Sequence, residues 1–393
     1  MSSVVITHAL RTPIGKFLGS LQSLTAVELG RQLVQTLLKR SGVAGNEVQE
    51  LIFGNGRQAG AGPNPARQIA YKAGLSHNST AYTVNMACAS GLKSIMLGVD
   101  SILSGDAKIV IAGGTESMSR LPYLLPKARE GYRMGHAPVV DAMYADGFLC
   151  PLADQLMGRT AENLAERDGI GRDAQDAYAA ESQNRCQRAR EAGEFEDEIV
   201  PVEVPQRRGD PIVVDRDEHP RDNVTPASLA KLKPVFKENG TVHAGNASGI
   251  TDGAAAVLLM REEEAKRRGL EILARVEGAA AAGVDPRFMG IGPVPATKKL
   301  LEKLGVGLDA FDAIELNEAF AAQVLACLES WKIGNEKVNV KGGAIALGHP
   351  IGATGARIVV TLLHTLRQRR LKRGLATLCV SGGLGFSAAF ARD

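Results

Sequence analysis

Apolar positions repeat with two different spacings in this chain, and one stretch shows both in succession. Residues 81–84 are a short run typical of a strand. The next stretch repeats apolar residues every three or four positions: Leu92, Ile95, Met96, Val99, Ile102 and Leu103. That spacing predicts a helix with a broad apolar face, ended by Ser104-Gly105-Asp106. Cys88 therefore lies where a strand turns into a helix.

The alternation of strand and helix occurs twice along the chain. It breaks down between about residues 119 and 249 and then starts again in the same order. In the second copy Gly382-Gly383-Leu384-Gly385 joins the last two strands, whereas about 130 residues separate them in the first. The chain is therefore predicted to be a duplicated α/β unit, with an N-terminal half at 1–270 and a C-terminal half at 271–393. The first half carries the irregular segment as an inserted loop domain.

Two strongly apolar helices, predicted at 88–104 and 353–371, hold equivalent places in the two copies. Helices this apolar are usually covered on most sides, so we expect the pair to pack together. Their N-terminal ends would then bring Cys88 and His349 close to each other. Parallel strands need crossover helices, so each half is expected to be a mostly parallel sheet covered on both faces. The second copy includes a predicted strand at Val338–Val340.

Composition describes a globular protein and excludes several classes. Hydrophobic residues make up 45% and charged residues 23% of the 393 residues, and the net charge of +3 implies no nucleic-acid partner. Five widely spaced cysteines, with no C-x-x-C pair, favour a reducing compartment and argue against a structural zinc site. No apolar run is long enough to span a membrane, and the first strand leaves no room for a signal peptide. We expect a cytoplasmic protein without a metal.

Cys88 and His349 are the first candidates for catalysis. A helix N-terminus favours an anion and is expected to lower the pKa of the Cys88 thiol, although a lone cysteine in an apolar stretch is more often buried and inert. A base elsewhere in the chain that reaches Cys88 would favour the catalytic interpretation over the inert one. His349 stands in the glycine-rich loop 341–355, which contains no G-x-G-x-x-G, and at the position equivalent to Cys88 it could serve as base or ion-pair partner.

Two further stretches carry candidate chemistry. The strand before residue 382 delivers Cys379 into a glycine turn, where it is either a core cysteine or a neighbour of backbone N–H groups that could hold an oxyanion. Asn317 follows a predicted strand at Ala313–Leu316 and opens a predicted helix at Glu318–Trp331. Asn317 is therefore either a helix cap or a side chain that holds a water or a carbonyl oxygen.

Taken together, six motifs resemble the signatures of the thiolase family, in the family's order and over the whole chain from Val4 to Arg392. They are Asn85–Gly91, Ala112–Ser119, Gly245–Gly249, Asn317–Ala321, Gly342–Pro350 and the turn after Cys379. The resemblance implies a duplicated thiolase fold, with two mixed β-sheets and helices in five α-β-α-β-α layers. It also implies that the inserted loop domain binds coenzyme A (CoA).

The resemblance assigns roles to individual residues. Cys88 would carry the acyl group as a thioester, His349 would activate Cys88, and Cys379 would move a proton at carbon. Asn317 (through a water) with His349, and the backbone N–H groups of Cys88 and Ser381, would form two oxyanion holes. Ser248 would touch the pantetheine and Arg221 the nucleotide end of CoA. The remaining substrate or CoA contacts would be Met157, Ser228, Met289, Ala319 and Phe320.

Two positions depart from the family pattern. Ser381 stands where the turn usually has glycine, so a side chain enters the turn while the N–H group is retained. Leu156 stands where short-chain biosynthetic members have histidine before Met-Gly. The second departure leaves a broader or longer range of acyl groups open.

The predicted function is that of an acetyl-CoA C-acyltransferase, with CoA and acyl-CoA as substrates and no permanently bound cofactor. It would condense two acetyl-CoA molecules or cleave 3-ketoacyl-CoA, with a role in fatty acid metabolism. The alternative function is that of a degradative 3-ketoacyl-CoA thiolase for longer acyl chains. A hypothesis from a different functional class is a non-catalytic acyl-CoA or lipid carrier on the same fold. A decarboxylating condensing enzyme is disfavoured by the second cysteine, Cys379. The resemblance and the loop at 120–145 predict a homotetramer, a dimer of dimers.

Overall fold

A computed structural model describes residues 3–393. The strands, in chain order, are β1 Val4–Arg11, β2 Gly15–Lys16, β3 Glu50–Gly54, β4 Thr80–Val84, β5 Ile109–Ser117, β6 Tyr123–Leu124, β7 Val140–Asp141, β8 Leu149–Cys150, β9 Gln155–Leu156, β10 Val202–Val204, β11 Ile212–Val214, β12 Thr251–Arg261, β13 Ala274–Gly283, β14 Ala313–Leu316, β15 Arg373–Val380 and β16 Leu384–Ala391. The helices are α1 Ala26–Ser41, α2 Pro65–Ala73, α3 Ser90–Ser104, α4 Met157–Asp168, α5 Arg172–Glu191, α6 Pro226–Leu229, α7 Glu262–Arg267, α8 Pro293–Leu304, α9 Ala321–Trp331, α10 Ala344–Leu347 and α11 Ile351–Gln368.

The long strands follow one continuous order, β14-β15-β16-β13-β1-β12-β5-β3-β4, with β2 beside β12. Strands of the second copy fill one end of this order and strands of the first copy fill the other. The two halves meet where β1 pairs with β13, through Val5 with Arg275 and Ile6 with Ala274. The two predicted sheets are therefore hydrogen-bonded to each other at one short contact, which the sequence did not indicate.

The expectation of mostly parallel halves is wrong. Only β3–β4, β3–β5 and β14–β15 are parallel among the described strand pairs, and the other pairings are antiparallel. In the second half, β15 and β16 must be antiparallel, because the turn of three residues between them is too short for the crossover that parallel strands need. Gly382 and Gly383 make that turn with φ of +86° and +83°, a backbone region that glycine enters at little cost. The mixed character of each half agrees with the thiolase resemblance.

Helices cover both faces of each half and produce five layers. α1 and α2 pack on the outer face of the first half, around a core that includes Leu33 and Phe53. α3 and α11 lie between the halves in a shared core. α8 and α9 cover the outer face of the second half, where Val324 and Phe311 are buried. The five-layer arrangement predicted from the resemblance is confirmed.

α3 and α11 approach so closely that their backbones touch. A Cβ on Gly91 would lie 2.7 Å from the backbone nitrogen of Ala356, and a Cβ on Gly355 would overlap the backbone of Leu92. Glycine at both positions is therefore required by the crossing. The predicted packing of this helix pair is confirmed, and it places the start of one helix beside the start of the other.

The segment between β5 and β12 contains α4, α5, α6 and three two-stranded sheets. A buried ion-pair cluster anchors this segment to the first half: Arg11 Nε lies 2.6 Å from Glu198 and Arg11 Nη1 lies 2.7 Å from Asp217. Because charged groups this deeply buried must be paired, the cluster fixes where the inserted segment sits. The segment forms one wall of the cavity described below.

Two local predictions in the second copy are wrong. Residues 338–340 are not a strand, since Val338 makes only an isolated bridge to Ile314. Asn339 has φ of +49° and its side chain bonds the backbone N–H and C=O of Leu316, which replaces the ladder. The helix predicted from Glu318 begins at Ala321, so Asn317 is not its cap. In the part of the chain described, no helix is long and apolar enough to cross a membrane.

Candidate active site

Cys88 sits in a strained turn between β4 and α3. The turn is a single 3₁₀ segment, Ala87–Ala89, and Ala87 has φ of +45°. A left-handed conformation costs an alanine about 1–2 kcal/mol. Ser90 holds the turn in place, because its hydroxyl donates to Ala87 C=O at 2.6 Å and accepts from Met86 N–H at 2.9 Å. The turn thereby presents the Cys88 side chain to the cavity.

His349 reaches Cys88 from the other half of the molecule. Its Nε2 lies 3.2 Å from Cys88 Sγ, as the predicted packing of the two helices requires. Its Nδ1 lies 2.6 Å from Thr354 Oγ1, and the Thr354 hydroxyl donates to Pro350 C=O at 3.0 Å. A hydroxyl has one proton, so Thr354 accepts from Nδ1–H. This assigns the tautomer in which Nε2 is free to accept the Cys88 proton.

The surroundings hold both groups in their neutral forms. Burial, together with the charges of Arg357 and Arg57, lowers the pKa of His349 to about 3. Burial raises the pKa of the Cys88 thiol, and the charge of Arg57 and the N–H groups of Ser381 and Cys88 only partly oppose it. The expected lowering by a helix N-terminus is thus outweighed by loss of hydration. The resting pair is a thiol and an imidazole.

Cys379 and Ser381 approach the same point from β15. Cys379 is the penultimate residue of that strand and is buried, and burial raises its pKa well above the ordinary value. The backbone N–H groups of Ser381 and Cys88 favour the Cys88 thiolate and so oppose the rise in its pKa. These two N–H groups are therefore candidates for stabilising negative charge that develops on a group attached to Cys88.

Asn317 directly follows β14 and is fully buried. Neither its amide oxygen nor its amide nitrogen has a hydrogen-bond partner among residues 3–393. Buried polar groups are costly when they are unpaired, so this side chain is suited to hold a small polar molecule. The observation fits the water-holding interpretation of Asn317 and not the helix-cap interpretation.

Most of these groups line one cavity of about 640 Å³, and Asn317 is not part of its lining. The catalytic candidates that line it are Cys88, His349, Cys379 and Ser381. The predicted substrate contacts that line it are Met157, Arg221, Ser248, Met289, Ala319 and Phe320. Ser228 is not part of the lining: it is exposed on α6, and its hydroxyl donates to Thr225 C=O at 2.7 Å. The cavity is apolar near Leu156 and Phe148, and charged where Lys16, Glu218 and Arg221 stand.

Glu116 is a buried residue whose importance the sequence did not reveal. Its carboxylate accepts from Asn55 Nδ2 at 2.7 Å, from Gly56 N–H at 2.9 Å and from Gly352 N–H at 2.8 Å. Burial raises its pKa to about 7. The contacts join the loop after β3 to the first turn of α11, and so tie the half that carries Cys88 to the half that carries His349. Glu116 lies inside the motif Ala112–Ser119, but only the fold shows what it contacts.

Comparison with known proteins gives matches that together cover almost the whole chain. The model described as "Thiolase, N-terminal domain" matches residues 4–263, and the model described as "Thiolase, C-terminal domain" matches residues 270–392. The chain belongs to the thiolase family. This thiolase is 53% identical, over 100% of both chains, to an acetyl-CoA acetyltransferase of Pseudomonas aeruginosa. It is 50% identical, again over 100% of both, to an acetyl-CoA acetyltransferase of Cupriavidus necator.

A solved structure gives the same result for the fold. The crystal structure of the Bacillus anthracis acetyl-CoA acetyltransferase matches this thiolase with a TM-score of 0.97 and 46% sequence identity, over 100% of this chain and 99% of that one. Within residues 3–393 of this thiolase, no three His, Cys, Asp or Glu side chains are grouped as metal ligands would be.

Proposed function

We propose that this thiolase is an acetyl-CoA C-acyltransferase that works through an acyl group on Cys88. It joins two acetyl-CoA molecules into acetoacetyl-CoA and CoA, and in reverse it cleaves 3-ketoacyl-CoA with CoA. The observation that carries the proposal is the contact of 3.2 Å between Cys88 Sγ and His349 Nε2, in a cavity that Cys379 also lines. Relatives about half identical in sequence bear the name acetyl-CoA acetyltransferase, which disfavours the longer-chain and carrier alternatives.

The first half-reaction transfers an acetyl group to sulfur. His349 Nε2 accepts the proton of the Cys88 thiol as Sγ bonds to the thioester carbon of acetyl-CoA. The carbon–sulfur bond to CoA then breaks, and Cys379 gives its proton to the departing CoA thiolate. A neutral imidazole is the required starting form, and the lowered pKa of His349 supplies it.

The second half-reaction makes the carbon–carbon bond. The Cys379 thiolate takes a proton from the α-carbon of a second acetyl-CoA, and that carbon attacks the acetyl group on Cys88. The bond to Sγ breaks, and the His349 imidazolium returns the proton to Cys88. Both cysteines and the histidine end as they began. A thiol whose pKa is raised well above the ordinary value is a strong base once ionised, which suits so weak a carbon acid.

Two oxyanion sites would stabilise the charges that form. The N–H groups of Cys88 and Ser381 would hold the oxyanion of the tetrahedral intermediate on sulfur. Asn317, through a water, and His349 would hold the enolate oxygen of the second acetyl-CoA. Support for the second site is the unpaired, buried amide of Asn317.

CoA itself would lie along the charged part of the cavity. We place the nucleotide end beside Arg221 and the pantetheine beside Ser248, with Met157, Met289, Ala319 and Phe320 around the acyl end, because all six residues line the cavity. The contact predicted for Ser228 stays a prediction, since that residue lies outside the lining. CoA is a substrate in this scheme, and no permanently bound cofactor takes part.

The assembly and setting of the enzyme are further parts of the proposal. Exposed side chains in the loop 120–145, Tyr123 and Met134 among them, support pairing into a homotetramer, a dimer of dimers. We propose a cytoplasmic location and a place in fatty acid metabolism. The division of the chain at residue 270 stays a prediction.

The direct test is an assay of acetoacetyl-CoA thiolysis with free CoA. The proposal expects turnover that is lost in Cys88→Ala and kept in Cys150→Ala, since Cys150 is buried outside the cavity. Binding of acetyl-CoA without any turnover would establish the carrier alternative instead.

A further inference from the structure

Arg57 is a buried arginine beside the reacting groups that the proposed mechanism leaves without a role. It follows β3 in the loop Asn55-Gly56-Arg57, is only 6% exposed, and lines the cavity together with Cys88 and His349. A guanidinium keeps its charge in any protein environment, so this position holds a permanent cation.

The guanidinium of Arg57 makes no direct ion pair with a described residue, although its charge opposes the rise in the pKa of the neighbouring Glu116 carboxyl that burial causes. Among residues 3–393, no carboxylate oxygen lies within 4.0 Å of its nitrogens, and Nε has no hydrogen-bond partner at all. Nη1 makes one long contact, 3.4 Å, with Gly56 C=O. The neighbouring Glu116 accepts the backbone N–H of Arg57 at 3.2 Å and is occupied by other N–H groups. Buried charges are normally in direct contact with a partner, and the guanidinium has room for an anionic partner because the Glu116 oxygens are held by backbone N–H groups.

The proton transfer between Cys88 and His349 does not account for this cation. The charge of Arg57 favours the Cys88 thiolate, but it disfavours the His349 imidazolium that forms at the same moment. The two effects oppose each other for a transfer between adjacent groups. A fixed cation at this place instead favours any molecule that adds a negative charge to the cavity.

We propose that Arg57 binds a carboxylate at the far end of the acyl chain, so that the substrate class includes 3-oxoacyl-CoA esters with a terminal carboxylate. This inference rests on the proposed function. In thiolysis Cys88 Sγ attacks the 3-oxo carbon, the bond between C2 and C3 breaks, and Cys379 protonates C2 as acetyl-CoA leaves. The shortened diacid half remains on Cys88 as a thioester, with its carboxylate at Arg57, until the thiol of CoA takes it.

The walls of the cavity suit such a chain. Phe148, Leu156 and Met157 are apolar and would cover the methylene groups between the thioester and the carboxylate. Gly147, in the turn Tyr144–Phe148, lies against the guanidinium so closely that a Cβ there would overlap Arg57 Nε and Nη2. A glycine is thus needed for the guanidinium to stay where it is.

The test compares two substrates that differ only in the terminal group, 3-oxohexanedioyl-CoA and 3-oxohexanoyl-CoA. We expect the wild-type kcat/KM to favour the diacid, and Arg57→Met to lower the ratio of the two constants by at least about tenfold, the usual weight of a hydrogen bond to a charged group. Arg57→Lys should restore part of the ratio. Because a ratio is measured, any effect of Arg57 on Cys88 itself cancels.

Arg221→Ala is the matched control, because it removes another arginine that lines the same cavity. Arg221 is placed beside the CoA part of the substrate, and that part is identical in the two esters. Its ratio should equal that of the wild type. If Arg57→Met does not fold, Gly147→Ala displaces the same guanidinium and should lower the ratio in the same direction.

A wild-type ratio near one, or a ratio that Arg57→Met and Gly147→Ala leave unchanged, would overturn the inference. A change in oligomeric state at an unchanged ratio would also overturn it, because the guanidinium would then pair with another chain. In these cases acetoacetyl-CoA is still cleaved, so the proposed function stands. Loss of all thiolysis in the wild type would instead remove the proposed function.

Discussion

His349 Nδ1 lies 2.6 Å from Thr354 Oγ1, and the Thr354 hydroxyl donates its own hydrogen bond to Pro350 C=O at 3.0 Å. The first turn of α11 therefore fixes both the orientation and the tautomer of the imidazole. The ring nitrogen that faces Cys88 is left unprotonated, which is the form that can accept the thiol proton. Thr354 is a positioning residue in this arrangement, since it acts through His349.

Thr354→Val should lower kcat/KM for acetoacetyl-CoA thiolysis by about tenfold or more, because the buried Nδ1–H loses its acceptor and the ring loses its orientation. The side chains have nearly the same shape, so no cavity forms, and the thermal unfolding midpoint should fall only by the cost of leaving the buried Nδ1–H without an acceptor. Thr354→Ser keeps the hydroxyl and should recover most of the activity. An unimpaired Thr354→Val enzyme would show that the imidazole is positioned by other contacts.

Alkylation of Cys88 by iodoacetamide should still be accelerating above about pH 8.5, the pKa of an ordinary cysteine. Burial raises the pKa of Cys88, so the reactive thiolate appears only at higher pH. Cys88 is half-buried and reachable from the cavity, whereas the other four cysteines are buried, and Cys88→Ala serves as the blank for labelling elsewhere. A rate that is already constant near neutral pH would indicate a preformed thiolate–imidazolium pair, contrary to the pKa of about 3 for His349.

Cys379→Ala should separate the two half-reactions. Acetylation of Cys88 and exchange of acetyl groups between CoA molecules should persist, although slowed by the loss of the proton donor to CoA. Condensation and thiolysis should fall by orders of magnitude, since no base remains at the α-carbon. Cys327→Ala, at another buried cysteine, is the control. Reversed roles would appear as lost acetylation in Cys379→Ala with acetylation kept in Cys88→Ala.

Arg221→Ala should raise KM for CoA esters more than it lowers kcat, because a contact to the nucleotide end is the same in ground and transition states. Steady-state kinetics with acetoacetyl-CoA give both constants. Arg207→Ala, an exposed arginine outside the cavity lining, should change neither. A decrease confined to kcat would assign Arg221 another role.

The arrangement of the site was predictable where it follows from the duplication. Helices in equivalent places of two copies had to pack together, and that packing places Cys88 beside His349. Contacts made by single side chains were not predictable. Thr354 contacts His349 Nδ1 because Thr354 belongs to the first turn of α11 and His349 lies just before that helix, and Glu116 contacts Gly352 because the two halves pack together. Neither relation leaves a pattern in the sequence.

The predicted pKa of Cys88 and the predicted direction of the strands are wrong, and the physical reason for each is visible only in the folded structure. The dipole of α3 favours a thiolate, but the enclosure of Cys88 by both halves removes its hydration and raises its pKa. Alternation of strand and helix suggested parallel strands, yet β12 enters between β1 and β5 in the antiparallel direction. The predicted strand Val338–Val340 does not form, because the Asn339 side chain makes the hydrogen bonds to Leu316 that a neighbouring strand would make.

The measurement that tests the account most directly is the intact mass of the enzyme after incubation with acetyl-CoA in the absence of CoA. Cys88 is expected to carry one acetyl group, mapped to the peptide that contains it, and Cys88→Ala is expected to carry none. Cys150→Ala should be acetylated like the wild type. An acetyl group that persists in Cys88→Ala, or a wild-type enzyme that binds acetyl-CoA and stays unmodified, would contradict the assignment of Cys88 as the nucleophile.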